Sequence, residues 1–440
     1  MLNYIWLGLM VAAVLIGGWN NHLDEVSKGA FDMARTAVMD VALPLSAIIT
    51  VWLGVMRLAE KSGLVVLLAR AMRPILRLLF PDVPPDHPAM GAMVMNIAAN
   101  MLGLANAATP LGLRAMTELQ KLNPIPGTAT NAMCTFLTVN TASIQLIPAT
   151  AIGILAVAGG KNPTAIVGTA LLATIVSQFA GLTAVKSLER LPIFRPTRGL
   201  PVQAETPAPA ESPLPAAPEL NPPPPLSIWG RTLLVLFIIF FVYLFAKLIW
   251  PEQSALPMDG PFTRVIKAVS LLAVPFFLSF FPLYAALRRI KVYEEFVEGA
   301  KEGFGVAIRI IPYLVTILVA VGMFRGAHGV ELIANVLRPV LNFFRFPPEL
   351  LSLAIMRPLS GSGSIALVAD VVKTYGPNHL YSMMAGTILG STETTFYVIA
   401  VYFGSVGIRR PRHAVAAGLI ADFAGVIASV TICRIVFGGP

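Results

Sequence analysis

The chain has 440 residues, of which 56% are hydrophobic and only 12% charged, with a mean hydropathy of +0.74, a balance that excludes an ordinary soluble globular domain. Its net charge of +9 invites a nucleic-acid reading, but the basic residues lie in short clusters between apolar runs, as at 288–291 and 409–413, where they mark cytoplasmic loops and leave no nucleic-acid partner. Uninterrupted apolar runs approach the roughly 20 residues a spanning helix needs, and they do not alternate as barrel strands do. They predict an all-α polytopic protein with the lipid bilayer as partner, multi-pass in the inner (cytoplasmic) membrane.

The first run, 4–19, lacks a positive N-terminal region and a small-residue cleavage site, so a segment 1–27 is expected to be an uncleaved helix rather than a signal peptide. A first unit follows over 28–195. Within it 41–56 predicts a span, and 68–80, "LARAMRPILRLLF", predicts an amphipathic interfacial helix kinked by Pro74. The next segment, 88–113, is interrupted by Asn96, Asn100, Gly103, Asn106 and Pro110. Arg57, Lys61, Arg70, Arg73 and Arg77 place 57–87 in the cytoplasm, and Lys186, Arg190, Arg195 and Arg198 place the following linker there too. Three full spans between these anchors would put the linker outside. The segment 88–113 is therefore expected to be a re-entrant hairpin, with spans at 129–159 and 164–186.

Residues 196–226 are rich in proline and alanine, the composition of a solvated tether. Two connecting helices, 232–250 and 268–287, occupy 227–295, and a second unit, 296–440, repeats the first. The segment 43–63 lies against 311–329, with Pro44 on Pro312, Gly54 on Gly322 and Arg57 on Arg325; Arg73-Pro74 meets Arg338-Pro339, and 95–113 meets 353–371. The interfacial helix 68–80 has its counterpart at 333–344. Because the second unit starts from the opposite side, the two are inverted repeats with about nine spanning helices, N-terminus in and C-terminus out. Inverted repeats place a binding site near the midplane, where discontinuous helices meet.

The polar residues cluster where that plan wants them. In 357–366, "RPLSGSGSIA", Ser360, Ser362 and Ser364 alternate with glycines, as suits a hairpin tip beside a wet pathway; close packing through small residues is the competing reading. In 389–404, "LGSTETTFYVIAVYFG", Glu393 sits among Ser391, Thr392, Thr394 and Thr395. Were this stretch one helix, Gly386, Gly390, Glu393 and Tyr397 would share a stripe. An intramembrane carboxylate reads first as a functional group, here with Arg357 and Asp422 as gating or ion-pair partners, and a purely structural pair as the alternative. The aligned first-unit segment offers Asn140, Thr141, Ser143 and Gln145, which polar contacts between helices would also explain. The candidate solute-binding set is thus Asn100, Asn106, Asn140, Thr141, Ser143, Gln145, Ser360, Ser362, Ser364, Ser391, Thr392, Glu393 and Thr395. Cys134 and Cys433 lie in apolar runs, and His22, His87, His328, His379 and His413 show no pairing at helical spacing, so no metal site and no cofactor are expected.

Two longer stretches carry a resemblance. "NIAANMLGLANAATPLGLRAM" and "NAMCTFLTVNTASIQLIP" in the first unit resemble bacterial spore maturation protein A, while "RPLSGSGSIALVAD" and "GSTETTFYVIAVYFGSVGIRRPRHA" in the second resemble spore maturation protein B, as in a fusion of the two. The resemblance covers most of both units outside the linker and connecting helices. It implies an integral membrane protein of the nucleoside-recognition, or Gate, group, related to concentrative nucleoside transporters and to a core portion of ferrous-iron transporters. In the nucleoside transporters a Gly-Gln-Thr-Glu stretch contacts the nucleobase. Here Gly390-Ser391-Thr392-Glu393 is similar, but serine replaces the glutamine and removes the amide that could pair with a base edge.

The function these readings support is a transporter or permease for a small polar solute, nucleoside-like solutes among the candidates, with a coupling ion and a homo-oligomer left open. The alternative is a non-transporting assembly or regulatory factor in spore or envelope maturation. No Gly-x-x-x-x-Gly-Lys-Ser/Thr loop is present, so the chain has no ATPase of its own. An intramembrane enzyme is disfavoured: no helix pairs a serine with a histidine, and Asp370 and Asp422 lack the surroundings of an aspartyl dyad.

Overall fold

The computed structural model describes residues 2–103, 105–194, 226–250, 260–329, 332, 339 and 341–438. The linker, apart from Leu226, and most of the expected interfacial helix 333–344 lie outside the described residues. Among those described, the chain is helical, with one isolated bridge between Thr128 and Arg410. It is an all-α polytopic membrane protein.

Helix α1 (Leu2–Trp19) leads into a continuous rod in which α2 (Leu23–Arg35) passes through a π-helical stretch (Thr36–Ala42) into α3 (Leu43–Lys61), so the span expected at 41–56 is the middle of a longer element. Helix α4 (Leu64–Leu79) carries Pro74 inside it, buries Leu64, Val65, Ala69 and Leu76, and leaves Arg70, Arg73 and Arg77 exposed, as an interfacial helix does. Helices α5 (Pro88–Met101) and α6 (Ala105–Lys121) fold back on each other through a turn where Gly103 takes φ +75°. The 14 residues of α5 reach only about 21 Å at 1.5 Å each, short of a ~30 Å hydrocarbon core, and the pair forms a helical hairpin of the length a re-entrant element needs.

Next comes a broken crossing, α7 (Asn131–Thr141) and α8 (Ala149–Val157), then the unbroken α9 (Ile166–Leu188). The connecting helices are α10 (Ile228–Ile249) and α11 (Pro261–Leu287), and α12 (Val292–Gly326) opens the second unit. The same order then returns: a hairpin of α13 (Leu351–Met356) and α14 (Gly361–Tyr375), a broken crossing of α15 (Leu380–Leu389) and α16 (Thr395–Ser405), and the unbroken α17 (Ala414–Phe437). The α2–α3 rod, α9 (from Pro163), α10, α11 and α17 are each long and apolar enough to cross a membrane unaided.

Equivalent elements of the two units run antiparallel. Along the rod, Gly54 meets Phe296, Gly303 meets Thr50, and Gly29 meets Gly322 so closely that a Cβ on Gly29 would lie 2.5 Å from the Gly322 carbonyl oxygen. Backbone contact of this kind is how small residues hold helices together where lipid supplies no hydrophobic drive. Arg57 strengthens the seam through Glu295 at 2.8 Å and Glu302 at 3.0 Å. The ends are exchanged reciprocally: Lys161 N donates to Asn378 Oδ1 at 2.8 Å at one end of the bundle, and Ala129 N donates to the Arg410 carbonyl at 3.0 Å at the other. Each of the two large apolar cores draws side chains from both units, Phe136 with Phe403 in one and Leu155 with Met384 in the other.

The stretch 389–404 is not one helix. It unwinds at 390–394, because Glu393 spends its amide outside its own segment, on the Thr141 carbonyl at 2.7 Å. The stripe of Gly386, Gly390, Glu393 and Tyr397 is accordingly absent, and the Tyr397 side chain points outward, 58% exposed.

Candidate functional site

Each broken crossing leaves backbone groups without intrahelical partners, and at membrane depth these must be met by protein or water. The two hairpin tips meet them in matching fashion: Leu146 N donates to the Met101 carbonyl at 3.2 Å, and Phe396 N to the Pro358 carbonyl at 3.0 Å. The breaks at 142–148 and 390–394 then face each other. Gln145 Nε2 donates to Glu393 Oε1 at 2.5 Å, so the neutral side chain of one unit and the acid of the other, aligned in sequence, touch at the centre.

A cavity of about 140 Å³ opens beside this contact, lined by Gln145, Pro148, Arg357, Gly361, Gly390 and Glu393 among others. Gly390 is needed there, since a Cβ would lie 2.7 Å from Pro148 Cβ. Arg357 is buried, and its guanidinium donates to Thr394 Oγ1 at 3.2 Å and to the Leu389 carbonyl at 3.0 Å, leaving Nε without a partner. It forms no ion pair with Glu393 or Asp422: Arg357 and Asp422 are buried and Glu393 half-buried, three ionisable groups held apart. Asp422 accepts from Thr395 Oγ1 at 2.5 Å through Oδ2, Thr392 lies close enough to interact with the same carboxylate, and Thr141 Oγ1 is buried and unpartnered. Such orphaned groups are rare in native interiors and collect where a solute or water belongs.

The remaining candidates divide. Ser360 caps α14 by accepting from Gly363 N at 3.0 Å, and Ser364 Oγ donates to the Ser360 carbonyl at 2.8 Å, so these serines form a helix start rather than a ligand face. Ser362 sits beside Ser360 at 3.3 Å, outside the cavity lining. Ser391 Oγ donates to the Ile388 carbonyl at 2.8 Å, and Ser143 is buried within the first break. Asn100 and Asn140 belong to a second network, with Asn100 Nδ2 donating to Asn140 Oδ1 at 2.7 Å. Tyr402, which the sequence did not single out, completes it: its hydroxyl accepts from Asn96 at 3.2 Å and donates to Asn140 Oδ1 at 3.4 Å. The side chain of Asn106 lies outside the described residues.

A larger cavity, about 510 Å³, shares no lining residue with the central one. It lies between the π-helical stretch and α14, where Lys373 bridges Thr36 and Asp40.

A family model described as "Gate: Nucleoside recognition" matches residues 42–158 and 307–409. The chain is 44% identical over 177 residues to spore maturation protein A of Bacillus subtilis (strain 168), which covers 40% of this chain and 90% of that protein. It is 40% identical over 175 residues to spore maturation protein B of the same organism, covering 40% of this chain and 98% of that protein. Among solved structures, the YdaH transporter of Alcanivorax borkumensis aligns at a TM-score of 0.35 and 15% identity, over 100% of this chain and 98% of that one.

Proposed function

Since the chain belongs to the Gate, or nucleoside recognition, family, we propose that it is a non-enzymatic transporter or permease of the inner membrane, for a small polar solute bound where the two helix breaks cross. The observation that carries this reading is the Gln145–Glu393 contact across the breaks, next to a cavity whose lining includes both residues and the buried Arg357, with its Nε unpartnered. Unwound backbone and a carboxylate at the meeting of inverted repeats are the parts from which secondary transporters build central sites. At about 140 Å³ the cavity is well below the ~300–1,000 Å³ that holds drug-sized ligands, which favours a solute smaller than a nucleoside. The serine at 391 points the same way, since it offers no amide to a base edge.

Arg357, Asp422 and Glu393 together carry one more negative than positive charge when all are ionised. A proton or a bound cation would balance them, which gives a coupling ion a place. The second reading is a non-transporting assembly or regulatory factor in spore or envelope maturation, and its spore part rests on what the two Bacillus subtilis relatives are called. Thermal melts of the purified protein and of Glu393→Gln, screened against amino acids, dicarboxylates, nucleobases, nucleosides and simple cations, separate the two. A solute that raises the melting temperature of the parent but not of the variant, and that enters liposomes only with the parent, supports transport. No solute-dependent shift in either, with the variant melting far lower, supports the second reading.

A further inference from the structure

We propose that His22, Glu25 and His328 form a binding site for a divalent ion of the zinc class, clamping the start of α2 to the end of α12 at one end of the bundle. His22 and Glu25 are three residues apart and His328 is far from both in sequence, yet the fold brings all three into one cluster: His22 Nδ1 lies 3.1 Å from Glu25 Oε1, and His328 Nε2 lies 3.7 Å from Glu25 Oε2. All three ligand atoms fall within 4.8 Å of one another, and the two imidazoles meet edge to face at 5.0 Å between centroids. A tetrahedral zinc ion with ligands at about 2.0–2.1 Å holds its donors about 3.3–3.5 Å apart, so the 3.1 and 3.7 Å separations, one to each oxygen of the Glu25 carboxylate, need only small side-chain adjustments to reach it. Two imidazoles and one carboxylate select zinc and its transition-metal neighbours over magnesium or calcium, which prefer all-oxygen shells. The fourth position is open to water, since all three side chains are partly exposed.

The backbone that carries these ligands is fixed independently of them. His22 is the residue just before α2, and His328 follows the end of α12 in a left-handed conformation, φ +59°, which glycine ordinarily occupies. Between them a Cβ on Gly326 would lie 2.5 Å from the Glu25 carbonyl oxygen, and one on Gly17 of the neighbouring α1 would lie 3.7 Å from Ala327 Cβ. The first unit's rod and the second unit's α12 are therefore in van der Waals contact at this point, and the ligands need only side-chain rotation to close on an ion. Ligands on preset backbone lose little freedom when they bind.

The test uses the full chain without a polyhistidine tag, stripped with EDTA and held in nanodiscs, with zinc chloride as the probe. Equilibrium dialysis with metal analysis is expected to give about one zinc per chain, with His22→Gln and His328→Gln each weakening binding on the order of tenfold or more and the double variant abolishing it. Cobalt(II) substitution is expected to give the strong visible absorption of a four-coordinate ion, absent in the double variant. His379→Gln serves as a distant histidine control and should bind as the parent does. Should the histidine variants fail to fold, Glu25→Gln replaces them in the same assays. Equal zinc uptake by the parent and the ligand variants, or none by either, overturns the proposal.

Discussion

Gly390→Ala tests whether the crossing of the two breaks is as tight as it is drawn, and Gly386→Ala, one turn earlier, is its control. At Gly390 the added methyl would stand 2.7 Å from Pro148 Cβ and 3.1 Å from Ala170 Cβ. Carbon atoms settle at about 3.5–4.0 Å, so the proline must retreat by about 0.8 Å or more, and a proline ring in a buried break cannot rotate aside. Overpacking of this kind costs about 1–3 kcal/mol. No gain in helix propensity offsets it, because Gly390 is the residue that ends α15. At Gly386 the nearest atom is Ile166 Cδ1 at 3.1 Å, the tip of a flexible side chain, and the next is at an ordinary 3.5 Å. An alanine inside α15 also recovers up to about 1 kcal/mol of propensity, so Gly386→Ala should be neutral or stabilising. Melting curves in one detergent, read by tryptophan fluorescence, should rank the parent and Gly386→Ala together and Gly390→Ala clearly below. Because Gly390 lines the central cavity, its variant should also lose solute-induced stabilisation. If the two variants melt alike, the breaks are not in contact at Pro148 and the site geometry is wrong.

Two further outcomes concern residues around the bundle. His413, buried between Phe194 and the start of α17, is pushed down from 6.5 to about 4 by burial and by the neighbouring Arg412 and Lys186. A histidine held neutral in the fold binds its proton more readily when unfolded, so its contribution is intact above pH 6.5 and is lost as pH falls toward 4, up to about 3 kcal/mol in all. His413→Phe should flatten that part of the stability-against-pH curve relative to the parent, and identical curves would refute the assignment. Tyr402→Phe removes the hydroxyl shared by Asn96 and Asn140 and should cost about 1–2 kcal/mol, seen as a lower melting temperature; an unchanged melt would mean the network carries no weight.

The membrane class was legible because burial in lipid demands long apolar runs, and the interruptions at 96–110 marked a hairpin because asparagines and a proline are poor in a lipid-facing helix. Only the alignment of 138–148 with the Glu393 segment was legible, offering Asn140, Thr141, Ser143 and Gln145 alike, with nothing in either local sequence to say that Gln145 would be the one to touch Glu393. What the sequence misassigned was backbone state. A helical stripe through Glu393 follows only if 389–404 is one continuous apolar span, whereas its Gly, Ser and Thr are weak helix formers and the decisive factor is a carbonyl on the other unit that takes the Glu393 amide. The serines of 360–364 look like ligands by type, but they face their own helix start. Tyr402 gave no signal, since an aromatic in an apolar run is ordinary until its hydroxyl is seen between two asparagines. The His22–His328 cluster was invisible for a related reason: helical spacing detects neighbours on one helix, and these sit on two.

The antiparallel seam of the rod with α12 also has a bearing on assembly. Gly29, Gly54, Gly299, Gly303, Gly322 and Gly326 present bare backbone on both sides, a surface that only the complementary unit can cover. Neither unit alone would be a finished body. Carrying both on one polypeptide fixes their ratio at one to one and replaces a search in the plane of the membrane with a folding event inside a single molecule.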